Sequence, residues 1–276
     1  MLDKLRQTCN VISLEAAVGG NAADKAAEKL PSLFDQASEF LSRGVLEKVG
    51  NFFSGYSRSL AWLSMNGSRG NYAELRGLQV HVPQGFKGSL VEYGNVLTKA
   101  VDEMSSLERD VLSPFSSWLQ QRIADPESLK ALSNSLKIPG LHEPKIEGIQ
   151  KQLDRFFPDK ADASTALYGE VIKRQADWAD LFNLTKKLNT QFGDGTYEAI
   201  QKRLPELSDL LTVLSERLRE DKGSEVYQFS SVNVEKLSKV VYEVAEHLEF
   251  YGVLRSRVDE YLRAVSDNVE IVRPHI

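Results

Sequence analysis

The feature that most limits the fold of this chain is an apolar stripe near its C-terminus. From Val234 to Val265, apolar residues recur every three or four positions with charged residues between them. The stripe comprises Val234, Leu237, Val241, Val244, Leu248, Tyr251, Leu254, Val258, Leu262 and Val265. This spacing predicts one long helix whose narrow apolar face must pack against a partner helix. The partner is either another helix of the same chain or a helix of another chain.

Similar spacing recurs along most of the sequence and predicts an all-α fold. Near the N-terminus it gives a short amphipathic helix over residues 2–18. The chain has 276 residues, enough for one large domain or two small ones. We therefore expect an elongated multi-helix bundle that includes the long C-terminal heptad-patterned helix and at most one or two short strands.

The glycine-rich segment over residues 65–88 interrupts the helical pattern. Leu78, Val80 and Val82 alternate there with polar residues, which predicts one short strand that ends at Pro83. A single strand must pair elsewhere in the chain, pack as an extended strap, or join the sheet edge of a partner protein. Both a contact surface and an ordered connection between domains fit this segment.

We place the domain boundaries around this segment. The predicted division is an N-terminal helical segment over 1–66, a glycine-rich strap or linker over 67–88, and a main helical bundle over 89–276. Basic and aromatic side chains of the strap are the candidate partner-binding residues. These are Arg69, Tyr72, Arg76, Phe86 and Lys87. The candidate assembly stripe of the C-terminal helix comprises Val241, Val244, Leu248, Tyr251, Leu254 and Val258.

Proline and glycine residues predict several helix boundaries in the main bundle. Pro114 kinks or divides a long helix that begins near Ser89. A later helix is expected to include Leu167 and to continue to Leu188, before a turn at residues 193–196. Pro205 is expected to lie at the start of the short helix that follows.

Composition excludes several functional classes. The formal net charge of −5, with cations dispersed among carboxylates, argues against specific nucleic-acid binding. No stretch approaches the roughly 20 apolar residues that span a bilayer, so we expect no membrane association. The single cysteine, Cys9, excludes an internal disulfide and fits a small buried side chain.

The sequence carries no recognisable catalytic motif. None of the four histidines forms a pair with the helical spacing of a zinc site. No serine lies in a glycine-flanked nucleophile elbow, and Cys9 has no histidine near it in sequence. We therefore predict a protein that is not an enzyme and has no metal and no cofactor, the alternative being a catalytic site assembled from distant residues.

The stretch Asn10-Val-Ile-Ser-Leu-Glu-Ala16, followed by an alanine-rich segment, resembles the N-termini of internal head and virion structural proteins of large tailed bacteriophages. Those families often carry a small residue, any residue and then glutamate as the recognition sequence of a prohead protease. The matching residues here are Ser13, Leu14 and Glu15, the candidate processing site, with a second match at Ser106, Leu107 and Glu108. The resemblance implies a virion or assembly role without a defined activity.

These observations favour a structural or interaction protein that works through helix-mediated contacts in a phage virion or in head assembly. The N-terminal helix is then a docking segment, and the partners are virion proteins or a second copy of the chain. The alternative is a cytoplasmic regulatory protein that holds a protein partner through the strap. The expected location is accordingly the virion or the host cytoplasm.

Overall fold

The structure is a computed structural model of the whole chain. It describes residues 1–18, 22–45, 58, 61–63, 65, 79–83, 90–124, 151, 166–171, 175–193, 196–220 and 231–272. Apart from two short strands, these residues are almost entirely helical. This confirms the predicted all-α multi-helix bundle.

Eight α-helices and two π-helical turns are described. The α-helices are α1 (Leu2–Ala17), α2 (Ala22–Ala27), α3 (Leu30–Glu39), α4 (Leu90–Met104), α5 (Ser113–Ala124), α6 (Gln175–Gly193), α7 (Thr196–Glu220) and α8 (Ser231–Val272). One π-helical turn, Phe40–Val45, follows α3, and the other, Glu108–Leu112, precedes α5. The second turn ends two residues before Pro114, whose ring removes a backbone donor, and the predicted long helix is divided in this region.

The predicted strand is present and pairs within the chain. β1 (Gln79–Pro83) pairs antiparallel with β2 (Ala166–Val171), with His81 opposite Tyr168 and an irregularity between Gln79 and His81. The partner of β1 therefore comes from a distant part of the same sequence, which is the first of the three arrangements considered for it.

Two predicted helix boundaries in the second half of the chain are wrong. Residues 166–171 form β2, so the helix expected to include Leu167 begins only at Gln175. Strand pairing with a distant segment supplies an alternative to the helical pattern that local spacing cannot reveal. Helix α7 begins at Thr196 and contains Pro205 in its interior. Pro205 is exposed, so water can bond the backbone carbonyl that its missing donor leaves free.

The chain folds into two compact units, each assembled from three separate segments. The first unit comprises Met1–Gly50, Ser106–Glu143 and Glu198–Gly252. The second comprises Asn51–Ser105, Pro144–Tyr197 and Val253–Ile276. The predicted division at 67–88 stays a prediction, because most of that segment lies outside the described residues.

In the first unit, α1 packs against α2 and α3. The Cys9 thiol of α1 donates to the Ser238 carbonyl oxygen of α8 at 3.2 Å. Helix α7 contacts α3 through hydroxyl groups: Ser38 Oγ lies 2.8 Å from Ser208 Oγ and 2.9 Å from Thr212 Oγ1. These contacts join elements from the first and third of the three segments.

In the second unit, α4 packs against α6 and against the C-terminal part of α8. The Tyr93 and Tyr261 rings are tilted by 56° with centroids 6.1 Å apart. A Cβ atom added to Gly94 would lie 2.5 Å from Tyr261 Oη and 3.1 Å from Leu184 Cδ1. Glycine at position 94 is therefore what permits this close approach of α4, α6 and α8.

Candidate protein-interaction site

The apolar stripe of α8 is part of the protein core. All six residues of the candidate assembly stripe, Val241, Val244, Leu248, Tyr251, Leu254 and Val258, are at most 2% exposed. The chain itself covers this face, which is the first of the two arrangements that the sequence allowed. Because a buried face cannot also contact another chain without unfolding, the stripe is not an assembly surface in this fold.

The N-terminal helix is also part of the core on one side. Leu5, Cys9, Ile12 and Ala16 are buried, with Leu5 and Ile12 fully inaccessible to solvent. This face anchors α1 to the first unit, and the docking role expected for α1 stays a prediction. Any contact made by α1 must use the face that points outward.

The outward face of α1 carries a second row of residues at helical spacing. We call Lys4, Gln7, Val11, Leu14 and Val18 the outer row, since they follow one another at steps of four and three. Val18 follows the last residue of α1 and keeps right-handed helical backbone angles, so it extends the row. Val11, Leu14 and Val18 are 41%, 68% and 83% exposed.

An exposed apolar residue is unremarkable by itself, but a row of them on one helix face is not. Val213 on α7 is a single case, with 37% of its surface exposed. On α1, three exposed apolar side chains occupy adjacent turns of the same face. Residues at i, i+3 and i+7 on one face are those through which an amphipathic helix binds a partner.

The candidate processing site lies on this helix. Ser13, Leu14 and Glu15 are all within α1, and Glu15 pairs with Lys29 through Oε1. In the second match, Leu107 is buried and Glu108 pairs with Arg203 at 3.1 Å. Proteases bind extended segments, so cleavage at either position requires local unfolding first. Leu14 is better placed in the folded chain as a contact residue than as part of a cleavage site.

The candidate partner-binding residues of the strap, Arg69, Tyr72, Arg76, Phe86 and Lys87, lie outside the described residues. Whether they form a contact surface stays a prediction. Within the strap the structure describes the backbone of β1, which pairs with β2.

The cysteine has the environment of a core residue. Burial raises the pKa of the Cys9 thiol to about 12, so the group remains protonated at neutral pH and is a poor nucleophile. The thiol also donates to a backbone oxygen of α8. Cys9 therefore serves packing in the folded protein.

The histidine side chain that the structure describes, His247, is also buried. His247 is 4% exposed, and its Nδ1 lies 2.5 Å from the carbonyl oxygen of Glu243 on the same helix. Among the described residues, no group of three or more histidine, cysteine or carboxylate side chains is arranged to hold a metal ion. His142 and His275 lie outside these residues.

A charged network in the first unit holds helices together. Arg203 on α7 pairs with Glu108 at 3.1 Å and with Glu206 at 2.6 Å. The other oxygen of Glu206 accepts hydrogen bonds from Ser116 and Gln120 of α5. Each charged group in the network has protein partners within it, which is the pattern of a structural connection between α5 and α7.

The outer row was missed in the sequence because α1 carries two apolar patterns at once. Leu5, Cys9, Ile12 and Ala16 are by themselves sufficient to predict the helix. Val11, Leu14 and Val18 also have steps of three and four. This offset spacing is the signal in the sequence that indicates the outer row.

No family model matches the chain, and neither a curated protein nor a solved structure matches it. Among the described residues, no helix has the length and apolar content needed to cross a membrane.

Proposed function

We propose that this chain is a non-enzymatic structural or interaction protein that works through helix-mediated protein contacts. The observation that carries the proposal is the outer row of α1, whose three apolar side chains are exposed on a helix anchored to the core by its opposite face. A helix held in this way presents its contact residues in a fixed geometry. Partner binding then costs little ordering entropy.

The setting that we propose is a phage virion or its head assembly. Its support is the resemblance of residues 10–16 to internal head and virion proteins, a segment that belongs to α1 and includes Val11 and Leu14 of the outer row. An assembly protein needs surfaces for repeated contacts and no catalytic group.

Affinity capture with a matched pair of variants tests the proposal. The tagged protein, the Leu14→Glu variant and the Val213→Glu variant are each expressed in infected cells, and the captured proteins are quantified by mass spectrometry. Both substitutions place a charge at an exposed apolar residue of the first unit. We expect Leu14→Glu to lose captured virion proteins that Val213→Glu retains. Equal capture of the same proteins by all three would refute the contact role of α1.

A further inference from the structure

We propose that helix α8 couples the stabilities of the two units, so that unfolding of one unit destabilises the other. The helix runs from Ser231 to Val272 as 42 residues without a break. Its residues up to Gly252 belong to the first unit, and those from Val253 onward belong to the second. A single helix is therefore a structural element of both units.

Each half of α8 contributes to the core of its own unit. In the first unit, Val234 and Leu248 have no solvent-accessible surface. In the second unit, the same is true of Leu254, Val258 and Val269. Because these side chains fill the interior, neither unit can keep its packing once its half of α8 unfolds.

A continuous helix transmits such a loss because helix formation is cooperative. Fixing the first hydrogen-bonded turn is unfavourable by a factor of about 10³, whereas each further residue adds a hydrogen bond at little cost. When one half of α8 is folded, the other half extends an existing helix and needs no new start. Gly252 at the boundary is about fivefold less favourable than alanine in a helix interior, which lowers the coupling without removing it.

The other junctions that the structure describes lack this property. The junction at residues 105–106 lies between the end of α4 and the π-helical turn before α5. The junction at residues 197–198 lies in the first turn of α7, so only two residues of that helix belong to the second unit. Among the described junctions, the one in α8 is therefore where several helical turns continue on both sides.

The coupling has a consequence for partner binding. The outer row of α1 belongs to the first unit, and the Cys9 thiol on the opposite face of α1 donates to the Ser238 carbonyl oxygen of α8. A ligand that binds only the folded first unit stabilises that unit, and by linkage it also stabilises any element that unfolds with it. The coupling itself is a property of the free chain and does not rest on the proposed function.

Hydrogen exchange followed by mass spectrometry tests the coupling in the full chain. Leu188→Ala removes a fully buried side chain of α6 in the second unit and leaves α8 unchanged. We expect faster amide exchange in α4 of the second unit and also in α7 of the first, by about tenfold or more. Lys186→Ala, at an exposed position of α6, is the matched control and should leave both rates at the parent values. Parent rates in α7 together with faster exchange in α4 would overturn the proposal.

The converse experiment must give the same answer, since coupling of stabilities is reciprocal. Leu207→Ala removes a fully buried side chain of α7 in the first unit and should accelerate exchange in α4. Val101→Ala in α4 removes less volume than Leu188→Ala, with α6 and α7 as the reporting helices. This milder variant gives the same comparison where Leu188→Ala unfolds the whole chain.

A pair of substitutions at the boundary tests whether α8 is the route. Val253→Gly and Val253→Ala remove nearly the same side chain, but glycine weakens the helix about fivefold relative to alanine. Each is combined with Leu188→Ala. We expect the acceleration of exchange in α7 to be about fivefold smaller with glycine at position 253 than with alanine. Equal accelerations in the two backgrounds would overturn the assignment of the coupling to α8.

Discussion

The stripe of α8 and the outer row of α1 have similar spacing but opposite positions in the fold. The six assembly-stripe residues of α8 are at most 2% exposed, whereas the three apolar residues of the outer row are 41% to 83% exposed. The longer pattern is used to build the core of the chain. The shorter pattern remains exposed. The length of an apolar pattern therefore does not identify the surface that binds a partner.

The largest loss of stability is expected when a charged side chain replaces a residue of the α8 stripe. Leu248→Asp should lower the free energy of unfolding by about 4 kcal/mol or more, because it buries an unpaired carboxylate at a fully inaccessible site. Lys236→Asp on the exposed side of the same helix is the matched control and should change stability by less than about 1 kcal/mol. Urea unfolding followed by circular dichroism measures both. Similar losses in the two variants would contradict the assignment of the stripe to the core.

A second variant tests how tightly the C-terminal part of α8 is packed. Gly94→Ala should destabilise the protein by about 2 kcal/mol, because overpacking costs about 3 kcal/mol and the better helix former returns about 1. The new Cβ would lie 2.8 Å from Tyr261 Cζ as well as near its hydroxyl oxygen. Asn95→Ala, at the next and exposed position of α4, should be neutral or slightly stabilising in the same urea experiment. A stabilised Gly94→Ala variant would show that the close contact is absent in solution.

Alkaline pH tests the inner face of α1. Burial raises the Cys9 pKa from 9.0 to about 12, so the folded chain keeps a proton that the unfolded chain releases above about pH 9. The stability that this group contributes is present below pH 9 and is lost as the pH rises towards 12. Stability measured against pH should therefore fall less steeply just above pH 9 in Cys9→Ala than in the parent. Parallel curves would place the thiol in solvent.

Buried tyrosines contribute a separate loss at higher pH. Burial also raises the pKa of Tyr93 and of Tyr261. Ionisation of these tyrosines therefore favours the unfolded chain, as ionisation of Cys9 does. This part of the alkaline loss should remain in Cys9→Ala.

The smallest effect on stability is expected in the outer row. Leu14→Asp should change the free energy of unfolding by no more than about 0.5 kcal/mol, because the side chain it replaces is mostly in solvent. Ile12→Asp, two residues earlier and fully buried, should unfold the first unit. Thermal melts followed by circular dichroism measure both variants. Comparable melting temperatures for these two variants would mean that α1 does not have one core face and one free face.

Apart from the boundaries at Leu167 and Pro205, local spacing predicted the described helices, and it predicted the strand that ends at Pro83. The N-terminal helix was placed correctly because Leu5, Cys9, Ile12 and Ala16 repeat at helical intervals. The partner of that strand was not predicted, because β2 lies more than 80 residues away and its residues also fit a helical pattern. Information about pairing between distant segments is not contained in the period of either one.

The candidate site was predicted only in part, for a related physical reason. Spacing identified which residues of α8 are apolar together, but whether a face is covered depends on the other helices that reach it. The chain brings three separate segments into each unit, and this grouping decides that Leu248 is buried while Leu14 is exposed. The role of Gly94 has the same origin, because it depends on Tyr261 of a distant helix.

The central claim is that a partner covers the outer row of α1, and thiol labelling tests it most directly. Cys9 is the only cysteine and is buried, so a thiol introduced by Leu14→Cys or by Val213→Cys is the single reactive site in its variant. Each variant is labelled with a maleimide, first alone and then in complexes captured from infected cells. The account predicts that position 14 reacts in the free protein and is protected in the complex, while position 213 reacts in both. Full reactivity at position 14 within the complex would contradict it.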